Sequence, residues 1–179
     1  LVLAFKILAS HPGAPSEPAA RVRLIETRAE ASGTAGMAGG QALDLAAEGR
    51  SLAIAEVEQI HALKTGALIR ASVLMAAHCA TGLDPARLAA LAEFGAAVGL
   101  AFQVQDDILD VEGDAELTGR PTGSDQARAM PTYPAVAGLA SARARVAELH
   151  SHAARQLHEH GWTGGPLSAL ADWLLARRR

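Results

Sequence analysis

The 179-residue sequence is poor in several residue types, and each shortage narrows the range of folds and functions. Its single cysteine, Cys79, has no partner for an intramolecular disulfide, and its apolar neighbours predict a buried free thiol. Aromatic residues make up only 3% of the chain, and alanine and leucine supply the apolar share instead, which favours helix over sheet. The formal net charge of −3 gives no reason to expect nucleic acid or an anionic membrane as a partner.

Long uninterrupted apolar runs are also missing. A membrane span needs about 18 consecutive apolar residues, so the sequence predicts no such span. Residues 1–9 are apolar, but they lack a preceding basic segment and contain Lys6, so we interpret them as helix and not as a signal peptide. We expect the chain to begin within a helix and the protein to be cytoplasmic.

Glycine and proline divide the rest of the chain into segments with helical spacing of apolar residues. No strand pattern or repeat is present, so the predicted fold class is all-α, in one domain over residues 1–179. A long polar loop is predicted over 113–131. The first predicted helix ends near Ser10. The other predicted helices cover 17–32, 35–48, 53–80, 84–113, 132–138, 141–159 and 167–178.

Glycines within the predicted helix 35–48 need an explanation. Gly36, Gly39 and Gly40 each cost about 1 kcal/mol of helix stability relative to alanine. We expect them to allow close approach of another backbone or of a ligand.

Three carboxylates and an amide lie close together on the helix predicted over 84–113. They are Gln103, Asp106, Asp107 and Asp110. At about 100° per residue, the four side chains fall within an arc of about 100°. The aspartates repel one another unless a cation neutralises them, and oxygen ligands of this kind suit Mg2+. A solvated acidic face is the alternative, and the residues alone leave both interpretations open.

Lys64 lies on the apolar stripe of the helix predicted over 53–80. A lysine in that position either extends its ammonium group to solvent or meets an anion. Its neighbours Thr65 and Gly66 add a hydroxyl group and a position without a side chain, and both are compatible with a bound phosphate. The stripe alone favours the solvent-directed lysine.

Three segments carry recognisable motifs. Residues 36–44 read Gly-Met-Ala-Gly-Gly-Gln-Ala-Leu-Asp, residues 61–70 read His-Ala-Leu-Lys-Thr-Gly-Ala-Leu-Ile-Arg, and residues 99–111 read Gly-Leu-Ala-Phe-Gln-Val-Gln-Asp-Asp-Ile-Leu-Asp-Val. In this order they resemble the signatures of trans-prenyl diphosphate synthases, closest to bacterial farnesyl and geranyl diphosphate synthases. The similarity continues through 119–126 and 132–135, and therefore covers essentially the whole sequence.

The resemblance implies an antiparallel helical bundle of the isoprenoid synthase type, built around a deep cavity. In that family two aspartate-rich motifs face each other across the mouth of the cavity and hold Mg2+ ions that bridge to the diphosphate of an allylic substrate. Asp106, Asp107 and Asp110 match the second motif. We therefore expect all three to serve a Mg2+ site, and Asp106 to be catalytic.

Further matched positions concern the substrates. Lys64, with Thr65 beside it, matches the lysine that contacts the allylic diphosphate, and we expect it to be catalytic. Gln41 and Gln103 match polar residues of the same cavity, and Arg120 keeps a nearby basic position. The implied reaction joins isopentenyl diphosphate to an allylic diphosphate, with metal and lysine stabilising the leaving group. Family members are usually dimers, so a homodimer is expected.

The chain departs from the family pattern in two ways. The other aspartate-rich motif and the basic residues for isopentenyl diphosphate belong upstream of the matched region. Residues 1–179 are thus expected to be the carboxyl-terminal part of the domain, with its amino-terminal helices missing, and to be inactive alone. The family also places a lysine two residues before the Thr-Tyr-Pro run, where this chain has Met130.

Two other functions share many of these features. A non-catalytic, prenyl-synthase-like subunit is compatible with the methionine at position 130. A terpene cyclase shares the helical architecture, but its second metal motif normally mixes Asn, Ser or Thr and Glu. The retained aspartates, together with Lys64 and Thr65, favour the transferase.

Overall fold

The computed structural model describes residues 2–80, 82–112 and 129–176, with side chains given up to residue 174. Over these ranges the regular secondary structure is entirely helical, which confirms the all-α prediction. The elements are α1 (Val2–Ser10), α2 (Pro18–Ser32), α3 (Met37–Ala47), α4 (Ile54–His61), a π-helical segment (Ala62–Gly66), α5 (Ala67–Cys79), α6 (Pro85–Glu112), α7 (Tyr133–Ala137), α8 (Leu139–Glu159) and α9 (Pro166–Ala176).

Helix boundaries follow local capping chemistry. The carboxylate of Glu17 accepts hydrogen bonds from the backbone N–H groups of Ala19 and Ala20, at 2.9 and 2.7 Å, and so begins α2. Asp84 accepts a hydrogen bond from the backbone N–H of Arg87 at 2.8 Å and begins α6. The aspartate-proline pair at this position predicted that start, because proline is tolerated in the first helical turn.

The helix predicted over 53–80 is continuous but changes type in its middle. α4 leads directly into the π-helical segment and then into α5, since the residues at both junctions keep right-handed helical dihedral angles. Short π-helical turns of this kind are frequent at functional sites. This one contains Lys64 and Thr65.

The long helix α6 packs against α8 in an antiparallel arrangement. One buried cluster joins the first half of α6 to the second half of α8, and another joins the second half of α6 to the first half of α8. The clusters contain Leu91, Phe94, Leu149 and Leu157 in the first case, and Val104, Ile108, Ala142 and Val146 in the second.

Glycines bring three elements into backbone contact around the π-helical segment. A Cβ atom placed on Gly40 of α3 would lie 2.2 Å from the backbone nitrogen of Lys64. A Cβ atom placed on Gly99 of α6 would lie 2.7 Å from the Cα atom of Gly66. The close backbone approach predicted for the glycine-containing helix is therefore confirmed at Gly40. The π-helical segment lies directly between α3 and α6.

One expectation from composition was wrong. Cys79 is exposed, because it lies about 200° around α5 from the buried Ala77. The helical stretches Ile54–Cys79 and Pro85–Glu112 are long and apolar enough to cross a membrane by length and mean hydropathy alone, although neither contains an uninterrupted apolar run of about 18 residues. A window can have a high mean hydropathy even when it contains scattered polar residues, whereas an uninterrupted apolar run contains none. In Pro85–Glu112, 56% of that window is buried in the bundle, as the packing of a central helix requires.

Candidate functional site

The first part of the candidate site is an ion pair between the π-helical segment and α3. The Nζ atom of Lys64 lies 2.5 Å from Oδ2 of Asp44. The two side chains are 32% and 17% exposed, so the pair is largely removed from solvent. The stripe position of Lys64 favoured a solvent-directed ammonium group, and that interpretation was wrong because a carboxylate lies within reach.

Asp107 is the centre of a buried hydrogen-bond network. Asp107 is only 3% exposed. Its Oδ2 atom accepts a hydrogen bond from the backbone N–H of Tyr133 at 2.8 Å. The same oxygen lies 3.3 Å from Nε2 of His61. Oδ1 accepts from Nε2 of Gln103 at 3.3 Å, and Oε1 of Gln103 accepts from the Thr65 hydroxyl at 2.7 Å. The network thus joins α4, the π-helical segment, α6 and α7.

His61 is neutral around neutral pH. It is 6% exposed, and burial lowers its pKa to about 4, while the charge of Asp44 acts in the opposite direction. Nδ1 of His61 has no hydrogen-bond partner among the described residues. The tautomer with its proton on Nε2 therefore fits best, because it places that proton on the ring nitrogen 3.3 Å from the carboxylate of Asp107.

Asp106 and Asp110 lie one turn apart on α6 and are half-buried, unlike Asp107. Within the described ranges, no group of three or more His, Cys, Asp or Glu side chains converges in a way that could hold a cation. Two neighbouring carboxylates nevertheless fit Mg2+, because this ion takes few protein oxygens and completes its shell with phosphate and water. The donor chemistry of Asp106 and Asp110 is therefore suitable for the predicted metal.

The remaining predicted site residues do not all lie in this network. Gln103 lies inside the network with Thr65, whereas Gln41 is exposed on α3, next to Gly40. Arg120 lies outside the described residues. Met130 is half-buried, and its carbonyl accepts a hydrogen bond from the backbone N–H of Thr132 at 3.0 Å.

Sequence reasoning missed two residues that the structure brings to the site. Asp44 closes the first motif segment and pairs with Lys64, and His61 opens the second and contacts Asp107. Their positions within the motif segments were a usable signal. His61 lies one helical turn before Thr65, so the two side chains share a face.

Comparison with known proteins agrees with this geometry. The family model described as polyprenyl synthetase matches residues 1–161. The chain is 43% identical over 180 residues to the farnesyl diphosphate synthase of Escherichia coli (strain K12), which covers 99% of this chain and 60% of the relative. It is 40% identical over 177 residues to the farnesyl diphosphate synthase of Geobacillus stearothermophilus, which covers 99% of this chain and 59% of the relative.

Solved structures show the same likeness. The crystal structure of the geranyltransferase from Helicobacter pylori, complexed with magnesium and isoprenyl diphosphate, superposes with a TM-score of 0.81 at 31% identity. The match covers 97% of this chain and 56% of that one.

The antiparallel helices and the motifs gathered around the π-helical segment define an isoprenoid-synthase fold. The chain belongs to the polyprenyl synthetase family, as its motifs predicted. It spans about three fifths of the length of the curated relatives it matches, with 60% and 59% for the two named above.

Proposed function

We propose that the protein condenses isopentenyl diphosphate with an allylic diphosphate and thereby forms geranyl or farnesyl diphosphate. One observation carries this proposal: the π-helical segment with Lys64 packs directly on the aspartate-bearing helix α6, tied to it by the 2.7 Å hydrogen bond from Thr65 to Gln103. The names of the relatives, which are farnesyl diphosphate synthases, support the same reaction.

In this reaction the diphosphate anion departs, and the allylic carbocation must persist until it is attacked. The C–O bond of the allylic diphosphate breaks, the double bond of isopentenyl diphosphate attacks the allylic carbon, and a proton is then lost. Lys64 donates to the departing diphosphate, because its ammonium group is already held in place by Asp44. Gln41, Thr65 and Gln103 are proposed to line the substrate cavity.

Magnesium belongs to this proposal as the cofactor, with Asp106 and Asp110 as the residues that would hold it. When bound, the metal supplies Lewis-acid stabilisation of the diphosphate leaving group. The motif assigns Asp107 to the same site, but its burial sets it apart from the other two. Arg120 is proposed to add a positive charge for the diphosphate.

The test uses the protein expressed from its complete reading frame. Incorporation of radiolabelled isopentenyl diphosphate is measured with dimethylallyl or geranyl diphosphate, with and without Mg2+. We expect acid-labile prenyl product only with Mg2+, and a loss of at least 100-fold in Asp106→Ala. Glu159→Ala is the matched control, since it removes an exposed carboxylate at the end of α8.

Other outcomes identify the competing functions. A folded protein that gives no product supports a non-catalytic subunit. Release of a cyclic hydrocarbon from the allylic substrate alone, without use of isopentenyl diphosphate, supports a terpene cyclase. Equal product formation by wild type and Asp106→Ala contradicts the proposed role of α6.

The proposal includes a cytoplasmic homodimer without nucleic-acid or membrane partners. The family resemblance supports the dimer. Light scattering of the full-length protein measures the mass directly. A monomer at micromolar concentration contradicts this part of the proposal.

A further inference from the structure

We propose that Asp107 and His61 form an internal anchor that sets the orientation of α6 against the π-helical segment, so that Asp107 is a positioning residue and Asp106 and Asp110 are the carboxylates that face the metal. The inference rests on the proposed function for the identity of the metal and substrates. It assigns His61 a role in the site that sequence reasoning missed.

Both carboxylate oxygens of Asp107 already have partners within the protein. One of them receives a backbone N–H and lies beside the His61 ring nitrogen, and the other receives the amide of Gln103. The residue is 3% exposed, so its carboxylate is turned into protein. A buried carboxylate is stable only when it is hydrogen-bonded, and these donors meet that requirement. A cation at Asp107 would have to share these oxygens with donors that already contact them.

The groups that contact Asp107 connect it to several neighbouring elements. Tyr133 begins α7, His61 ends α4, and Gln103 passes the connection on to Thr65 in the π-helical segment. Asp107 therefore contacts two neighbouring elements directly and reaches a third through Gln103. Rotation of α6 about its axis would break its contacts with Tyr133, His61 and Thr65 together, because Asp107 and Gln103 lie on one side of the helix.

The consequence concerns the two half-buried aspartates. On α6, Asp106 lies about 100° around the axis from Asp107, and Asp110 lies about 60° from it on the same side. When Asp107 is held inward, both of these carboxylates are set at a fixed angle from the π-helical segment with Lys64. Catalytic groups must be held to within a fraction of an ångström, and buried hydrogen bonds of this kind supply that precision.

The test compares isosteric variants in the full-length protein. Asp107→Asn keeps the shape and, with the Gln103 amide turned over, keeps an acceptor for Tyr133 and a donor for Gln103. Asp106→Asn is the matched control, since it removes the same charge one residue earlier. His61→Leu removes the ring donor, and His61→Gln restores a donor at the same position.

Expected results separate positioning from metal ligation. Asp107→Asn should lower kcat by up to about tenfold and leave the Mg2+ concentration for half-maximal activity within about twofold, whereas Asp106→Asn should raise that concentration at least tenfold. His61→Leu should lower kcat at least tenfold, and His61→Gln should recover part of the loss. If Asp107→Asn shifts the Mg2+ requirement as far as Asp106→Asn, or if His61→Leu equals wild type, the proposal is overturned.

A second readout does not depend on turnover. The Tyr133 amide donates to Asp107, so its hydrogen exchange should accelerate at least tenfold in His61→Leu and in Asp107→Ala, and no further in the double variant. Unchanged protection of this amide in both single variants also overturns the proposal. If wild type shows no condensation but the exchange pattern holds, the proposed function fails and the anchor stands.

Discussion

Replacement of Gly40 by alanine tests whether the π-helical segment is held by close backbone packing. The added Cβ atom would lie 2.2 Å from the Lys64 nitrogen, whereas ordinary contact begins at 3.4 Å, so α3 and the segment would have to separate by about 1.2 Å. Alanine gains about 1 kcal/mol in helix propensity. Overpacking against backbone, which cannot rotate aside, costs about 3 kcal/mol, so we expect a net loss of about 2 kcal/mol.

Activity should fall further than stability. A displacement of about 1 Å in a catalytic group can cost about 100-fold in rate, and Lys64 would move with its backbone. Chemical denaturation measures the first effect, and condensation kinetics of the full-length protein measure the second.

Gly66→Ala is the matched control for this test. It changes a glycine of the same π-helical segment, but its Cβ atom would find its nearest neighbour, the His61 carbonyl oxygen, at 3.6 Å. We expect this variant to be as stable as wild type or up to about 1 kcal/mol more stable, with turnover within a few-fold. If Gly40→Ala and Gly66→Ala behave alike in both assays, the packing argument is wrong.

Four further predictions concern charged groups at the site and the activity of residues 1–179 alone. Lys64→Met should reduce kcat/KM for the allylic diphosphate about 10- to 150-fold, as expected from loss of a charge-assisted contact of about 1.5–3 kcal/mol, and an unchanged value would contradict its role. Met130→Lys should raise kcat/KM, because the family has a cation there; no change in either kinetic constant would place residue 130 away from the diphosphate. Chelation of Mg2+ should abolish binding of the allylic diphosphate in calorimetry, and retained affinity would show that the aspartates of the site do not repel the diphosphate. Residues 1–179 alone should show no turnover, and measurable product from the purified polypeptide would disprove this.

The helices were predictable because their signals are local. Asp84 with the following proline, and the glycines at helix ends, act within one turn, so the predicted starts and stops agree with the structure to within a few residues. The π-helical segment was not predictable in this way. Its extra residue is accommodated by contacts with Gly40 and Gly99, which are distant in sequence.

The site was predictable as a set of motifs but not as a set of contacts. The spacing of Asp106, Asp107 and Asp110 places them on one face, yet it cannot show that one turns inward. That depends on the Tyr133 backbone, 26 residues further along the chain. The pairing of Lys64 with Asp44 is likewise hidden, since their separation of 20 residues crosses a helix connection.

Charge balance at the site supports the proposed need for a metal in binding as well as in chemistry. The Lys64 charge is largely compensated by Asp44, and α6 adds three aspartates close by. The described side chains at the site thus comprise one lysine and four aspartates, and His61 adds no positive charge around neutral pH because burial lowers its pKa to about 4. A diphosphate approaching them is repelled, and repulsion between partly buried charges is only weakly screened by salt. Divalent cations held by Asp106 and Asp110 would supply positive charge that reverses the sign of that interaction, and Lys64 could then act on the leaving group.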